Sequence, residues 1–258
     1  MIAWHTEDTT TYLALNRLPC NEIGSAMLQG LEDFLDAFDA ETTRALIITS
    51  EIPGAFCAGA DLRELHTTVT SRTGDDLTAE LRRFLDRIHR VMNQLDALPC
   101  TTIGVIGGLC FGGGFELALT CDVLIAEKHA RFAFPELRLG LIPGFGGIPR
   151  LKRDVGNAIV RDVLLTGRSI NARKALEIGL VSQMVPKGDG LKAAKSLARQ
   201  AAKLNREATV TAKAFMKPIP HAELEQEKEL FLSLFTSPAV EEALSKFVSS
   251  TDARPYLP

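Results

Sequence analysis

A chain of 258 residues, 46% hydrophobic and 24% charged, has room for one large domain or a domain with an appendage, and its composition excludes intrinsic disorder. The formal net charge of −3 excludes a general basic field for nucleic acid or anionic lipid, so an anionic ligand would need local help from helix N-termini or a few placed cations. Five cysteines at 20, 57, 100, 110 and 121 show no CxxC spacing, which argues against a disulfide framework and for a reducing compartment.

In chain order, the opening MIAWHTEDTTTYLALNR carries no basic region ahead of an apolar run, so it does not read as a secretory signal. No apolar stretch reaches the roughly 20 residues that span a bilayer. The expectation is a soluble, cytoplasmic protein with no membrane partner. Residues 11–17 and 44–50 read as strands. Between them, apolar positions 27, 28, 31, 34, 35 and 38 mark one face of a helix opened by Ser25. A second helix is expected over roughly 78–97, with Leu81, Phe84, Leu85, Ile88, Met92 and Leu95 at the same period and Pro99 as its stop. Strands follow at 101–107 and 121–127. This alternation predicts an α/β core with parallel pairing. After about residue 188 only helical periodicity remains, through Leu230, Phe231, Leu234, Phe235, Val240, Leu244, Phe247 and Val248. The division expected is a core over 1–188 and a helical C-terminal subdomain over 189–258, whose surplus of apolar residues calls for packing on the core or on another subunit.

Three segments carry the chemistry. GAFCAGADLREL (54–65) crowds small residues around a strand end and leaves main-chain N–H groups approachable; Asp61 also reads as a helix cap. IGGLCFGGGFELALTCD (106–122) runs a strand into three glycines, with a helix beginning at about Phe115. A phosphate loop fails there, because Gly113 rather than lysine follows Gly107-to-Gly112, and a dinucleotide fingerprint fails because Leu109 stands two places after Gly107. What survives is a glycine loop with Glu116 in the first helical turn, where a carboxylate can also serve only the helix dipole. In FAFPELRLGLIPGFGGIPRL (132–151), Glu136 sits in apolar company between Pro135 and Leu137, as a functional acid or as a helix-start glutamate after proline. The five histidines, His5, His66, His89, His129 and His221, show no metal-ligand spacing and read as surface residues, although His66 could face a pocket. No metal is expected.

Taken together, LNR near the first strand, AFCAGADL, GGGFELALTCD, FPELRLGLIPGFGG and INARKALEIGLVSQMVP (170–186) resemble the crotonase (enoyl-CoA hydratase/isomerase) superfamily over nearly the whole chain. The resemblance implies a spiral of ββα units capped by a helical C-terminal oligomerisation region, and a homo-oligomer that is a trimer or dimer of trimers. It implies an oxyanion hole at the N–H groups of Ala60 and Gly113, and coenzyme A bound along Ala58, Ala60, Asp61, Leu62 and Gly113. It implies Glu116 as the group that activates water, Glu136 as the proton donor at Cα, and no cofactor beyond the coenzyme A of the substrate. Members that only shift a double bond or cleave C–C bonds commonly lack one of the two acids, so the pair favours an enoyl-CoA hydratase acting on a short, branched or cyclic acyl group. The alternatives are an isomerase or biosynthetic dehydratase/decarboxylase on the same scaffold and, in another class, a non-catalytic protein that binds acyl-CoA or RNA.

The chain also departs from the pattern. LNRLPCNEIGSAM lacks the lysine of the usual first signature, and FVSSTDARPYLP replaces the usual FxEKR-like run, leaving Arg254 as a substitute cation. The polar stretch 62–80 is expected to border the acyl pocket, and Phe115 and Phe134 to narrow it.

Overall fold

A computed structural model describes residues 1–250; Arg254 and the rest of the C-terminal departure from residue 251 onward lie outside them. Strand β1 (Ile2–Glu7) pairs antiparallel with β2 (Thr10–Leu15), and helix α1 (Ser25–Ala37) follows. The chain continues through β3 (Ala45–Ser50), β4 (Gly54–Cys57), α2 (Leu62–Ser71), α3 (Gly74–Asp96), β5 (Thr101–Ile106), β6 (Gly108–Phe111) and α4 (Gly113–Ala118). Then come β7 (Val123–Glu127), β8 (Arg131–Ala133), a 3-10 turn (Glu136–Leu139), α5 (Gly147–Val155), α6 (Asn157–Thr166), β9 (Ile170–Asn171), α7 (Ala172–Glu177) and β10 (Gln183–Val185). Four helices end the described chain: α8 (Gly190–Ala201), α9 (Arg206–Met216), α10 (His221–Phe235) and α11 (Pro238–Ser249).

The strands form two sheets, ordered β1-β2-β3-β5-β7-β10 and β4-β6-β8-β9. Within them β2, β3, β5, β7 and β10 run parallel, as do β4, β6 and β8. The pairs β3–β4, β5–β6 and β7–β8 each add one strand to each sheet before a helix, which is the expected spiral of ββα units. The short strands of the second sheet, four residues or fewer, carry too little periodicity to be read from sequence.

Burial on both faces explains the unbroken apolar runs of the larger sheet. Leu46 and Ile48 point into the main core with Met27, Leu28, Leu31 and Phe34 of α1 and Leu85, Ile88 and Met92 of α3. Ala45 and Ile47 alternate to the opposite face, where Ile103, Val105 and Ile125 pack against Ala194 and Ala198 of α8. Helix α8 therefore covers the core sheet, while α10 lies against α3 and α5, and α11 against α2 and the 3-10 turn. Phe231 and Phe235, two of the residues that suggested packing on the core or on another subunit, are buried in this chain's own core. Ser25 begins α1 without capping it: Gly24 is the N-cap, and the Ser25 N–H donates to the Glu64 carboxylate instead. Among the described residues no helix is long and apolar enough to cross a membrane.

Candidate active site

Two strand ends meet where the sheets open. After β4 the chain passes Ala58, Gly59 and Ala60 before Asp61 caps α2, its carboxylate accepting the N–H groups of Arg63 and Glu64 at 3.1 Å each. After β6 it turns at Gly112, whose φ of 49° favours glycine. A Cβ there would stand 2.5 Å from Oε1 of Glu136, and one on Gly114 would fall 2.2 Å from the carbonyl oxygen of Cys57. Only bare main chain lets the two segments come this close. As a result the Ala60 and Gly113 nitrogens share one wall: a Cβ on Gly113 would lie 3.4 Å from the Ala60 N. Among the described residues neither N–H donates a hydrogen bond, whereas the adjacent Gly112 N–H donates to Ala133 O at 2.9 Å and the Asp61 N–H to Ile23 O at 3.0 Å. Two unspent donors side by side can receive an oxygen that gains negative charge.

The two glutamates face this wall in different states of support. Glu116 is 2% exposed, and its Oε1 accepts N–H bonds from Phe145 at 2.7 Å and Gly147 at 2.8 Å. Burial pushes its carboxyl up to about 7, against the pull of those two bonds and of the Arg150 charge. Glu136 is half-buried as a residue, yet its Oε2 is sealed from solvent and has no hydrogen-bond partner among the described residues. Burial first, then the Glu116 charge, hold its carboxyl well above the usual range. Of the two, Glu136 holds the more stable proton and Glu116 the better-supported charge.

The turn that supports Glu116 is itself held from several sides. Gly146 precedes α5 and has no side chain with which to cap it. Its N–H donates to Oε1 of Glu227 at 2.7 Å, and the Ile148 N–H to Oε2 of the same carboxylate at 2.9 Å. The carbonyl oxygens of Phe145 and Gly146 accept from the Arg150 guanidinium at 3.1 and 3.4 Å, and Gly144 O lies 2.8 Å from Nε2 of His89. Arg150, 0% exposed, is balanced by Asp96, which also pairs with Arg153 and Lys217.

Ala58, Ala60, Leu62, Gly113, Glu116 and Glu136 all line one cavity of about 60 Å³. Its remaining wall is mostly apolar, with Leu65, Leu81, Phe84, Leu139, Phe145 and Phe231 prominent, and among the described residues its only charged lining groups are the two glutamates. Asp61 stands outside that cavity, in an outer groove with Arg17, Glu22 and Arg63, and pairs with Arg17. Leu62 and Leu65 are the part of 62–80 that reaches the wall.

Three sequence readings change. Phe115 and Phe134 do not narrow the cavity; they stack on each other at 4.7 Å in the core. His89 is buried rather than superficial, because it falls on the apolar stripe of α3. His66 turns to Ser245 Oγ at 3.1 Å and does not line the cavity. Glu227 and Arg150 were not singled out in the sequence. For Glu227 a signal existed: it lies three places after Leu224 and four before Phe231, on the buried stripe of α10.

Residues 5–254 match the family described as enoyl-CoA hydratase/isomerase. The chain is 34% identical over 235 residues to the mitochondrial methylglutaconyl-CoA hydratase of Rattus norvegicus, covering 91% of this chain and 70% of that one. Among solved structures, an enoyl-CoA hydratase from Bacillus anthracis superposes with a TM-score of 0.76 at 30% identity, covering 96% of this chain and 95% of that one. DspI from Pseudomonas aeruginosa gives the same TM-score of 0.76 at 32% identity, covering 91% and 95%.

Proposed function

The chain belongs to the enoyl-CoA hydratase/isomerase family, and on that premise we propose that it adds water syn across the 2,3 double bond of an enoyl-CoA thioester. The observation that carries this reading is the sharing of one apolar cavity by two buried carboxyls and two unspent main-chain donors.

In this reading the thioester carbonyl oxygen accepts from the N–H groups of Ala60 and Gly113. Ionised Glu116 takes a proton from a water held between the two acids, and the water oxygen bonds to Cβ. The electron pair of the double bond moves onto the thioester as an enolate, which the two donors stabilise; each such donor is worth on the order of 3 kcal/mol. Protonated Glu136 then gives its proton to Cα, and the neutral thioester re-forms. Glu116 ends protonated and Glu136 ionised, and proton exchange resets the pair after product leaves. Coenzyme A leads away past Ala58 and Leu62, with Asp61 supporting that rim as the α2 cap.

The acyl group we propose is short, branched or cyclic, in keeping with the mostly apolar wall that Leu65, Leu81, Phe84, Leu139 and Phe145 give the cavity. Loss of enoyl absorbance with crotonyl-CoA tests the activity, and no hydration of crotonyl-CoA or a branched 2-enoyl-CoA would sink it.

We also propose a homo-oligomer, a trimer or dimer of trimers. The apolar side chains left on the surface include Phe215 at 87% and Met216 at 72% exposure, at the end of α9. Light scattering on the double variant Phe215→Glu, Met216→Glu is expected to show smaller particles; an unchanged mass would place the contact elsewhere.

A further inference from the structure

We infer that Glu227, on α10, is a positioning residue for Glu116: it grips the Gly146 and Ile148 N–H groups from one side of a turn so that the Phe145 and Gly147 N–H groups meet Glu116 on the other. The inference rests on the reading that Glu116 activates the water.

A helix leaves its first N–H groups without intrahelical partners, and Gly146 cannot cap α5 with a side chain. Two buried carboxylates do the work instead, dividing four consecutive N–H groups between them: 145 and 147 go to Glu116, 146 and 148 to Glu227. Glu227 lies outside the cavity wall, while Phe231, one helical turn further along α10, lines it. It therefore has no path to substrate except through the turn. The arrangement is costly for a purely structural cap. Glu227 is 4% exposed, and burial and the Glu116 charge hold its carboxyl well above the usual range, with Arg150 as an opposing charge. Two like charges on one turn repel, and a neutral side chain could fill the same space. What a bidentate carboxylate supplies is a fixed rotation of the peptide planes, and with it the direction of the two N–H groups that hold Oε1 of Glu116. With Oε1 held, the carboxylate's orientation toward the cavity is set, and a positioned base depends on that.

The test is Glu227→Gln, which matches the size of the carboxylate but must turn an NH2 toward one of two N–H donors. Hydration of crotonyl-CoA is read beside deuterium uptake at Cα of a saturated acyl-CoA in D2O, which needs Glu136 and the oxyanion donors but not Glu116. The expected result is a loss in kcat for hydration of tenfold or more, with KM and Cα exchange each within about twofold of the parent. Unchanged hydration would overturn the inference. So would an equal fall in hydration and exchange, because that describes a site loosened as a whole. Should Glu227→Gln not fold, Glu227→Asp keeps the charge but falls one methylene short, and it must show the same split. Retained hydration in Glu116→Gln would remove the underlying reading instead, whereas an inactive Glu116→Gln beside a fully active Glu227→Gln removes only the role of Glu227.

Discussion

The glycine junction at 58–60 and 112–114 and the turn at 144–148 lie on the same cavity but are built on opposite plans. The junction is main chain throughout: strand ends, small residues and a positive φ bring two amides together and leave them unspent. The turn spends what it has: its four N–H groups from Phe145 to Ile148 and the carbonyls of Gly144, Phe145 and Gly146 meet side chains from α3, α4, α5 and α10. A donor meant for a substrate oxygen has to be free and rigid, and backbone geometry alone achieves that. A buried carboxylate that must keep its charge needs donors already committed to it, and only tertiary packing brings them.

The largest effect tests what lies between the two regions. Glu136 has no partner for Oε2 among the described residues, so in the mechanism proposed above no described neighbour shares its proton. Glu136→Gln is expected to lower kcat for crotonyl-CoA hydration by on the order of 10⁴-fold while leaving the Kd of a saturated acyl-CoA nearly unchanged. A variant with normal turnover would take Glu136 out of the mechanism.

The turn is tested next through Arg150. Replacing it by methionine strands Asp96 with Arg153 and Lys217 and frees two buried carbonyls. Truncating one partner of a buried ion pair costs roughly 3–5 kcal/mol, so urea denaturation of Arg150→Met is expected to show a loss of that size. A loss below about 1 kcal/mol, the range of exposed pairs, would mean that the turn does not depend on its side-chain scaffold.

The junction should respond in the opposite way, with activity rather than stability. Gly113 is the first residue of α4, a place where proline is tolerated because no intrahelical bond is lost. Gly113→Pro deletes one of the two free donors, and the Phe145 ring must shift to admit its Cβ. The expected outcome is a fall in kcat of roughly 10²–10³-fold with a retained folded circular-dichroism spectrum. Equal activity would show that the Gly113 N–H receives no developing charge.

This contrast also explains how much of the molecule was legible in its sequence. Strands β2, β3, β5 and β7 and helices α1 and α3 announce themselves by period, and Glu116 and Glu136 by the motifs around them. The junction is written locally, as GAFCAGAD and FGGGFE. The turn is not, because, Arg150 apart, its partners stand 29 to 81 residues away from it. Glu227 sits in EQEKEL, where the exposed carboxylates of Glu225 and Glu229 pair with Lys228 and Arg82, and composition does not tell the three apart. The stripe of α10 does, and the same rule would have placed His89 inside α3.

The smallest effect asks how each region pays for a buried acid. Both carboxyls bind protons more tightly in the folded chain than at their ordinary value of 4.5, Glu116 up to about 7 and Glu136 well above the usual range. The sign follows from linkage: where the native state binds more protons than the unfolded one, stability falls as pH rises. The contribution of each group is thus fully present below the ordinary carboxylate value. For Glu116 the loss is complete once pH passes about 7; for Glu136 it continues higher. An amide at either position does not titrate and escapes the loss. At pH 5 Glu136→Gln is expected to melt close to the parent, and by pH 8 to melt higher, with roughly 2–4 °C gained for each kcal/mol relieved. Glu116→Gln is expected to gain less, because the amide forfeits the two N–H bonds to a charged oxygen that the turn supplies. Thermal melts of the three proteins at pH 5, 6, 7 and 8 read the difference directly. A gap between Glu136→Gln and parent that does not widen with pH would show that Glu136 is solvated in the folded protein, and a larger gain for Glu116→Gln would show that the turn does not favour the charge it surrounds.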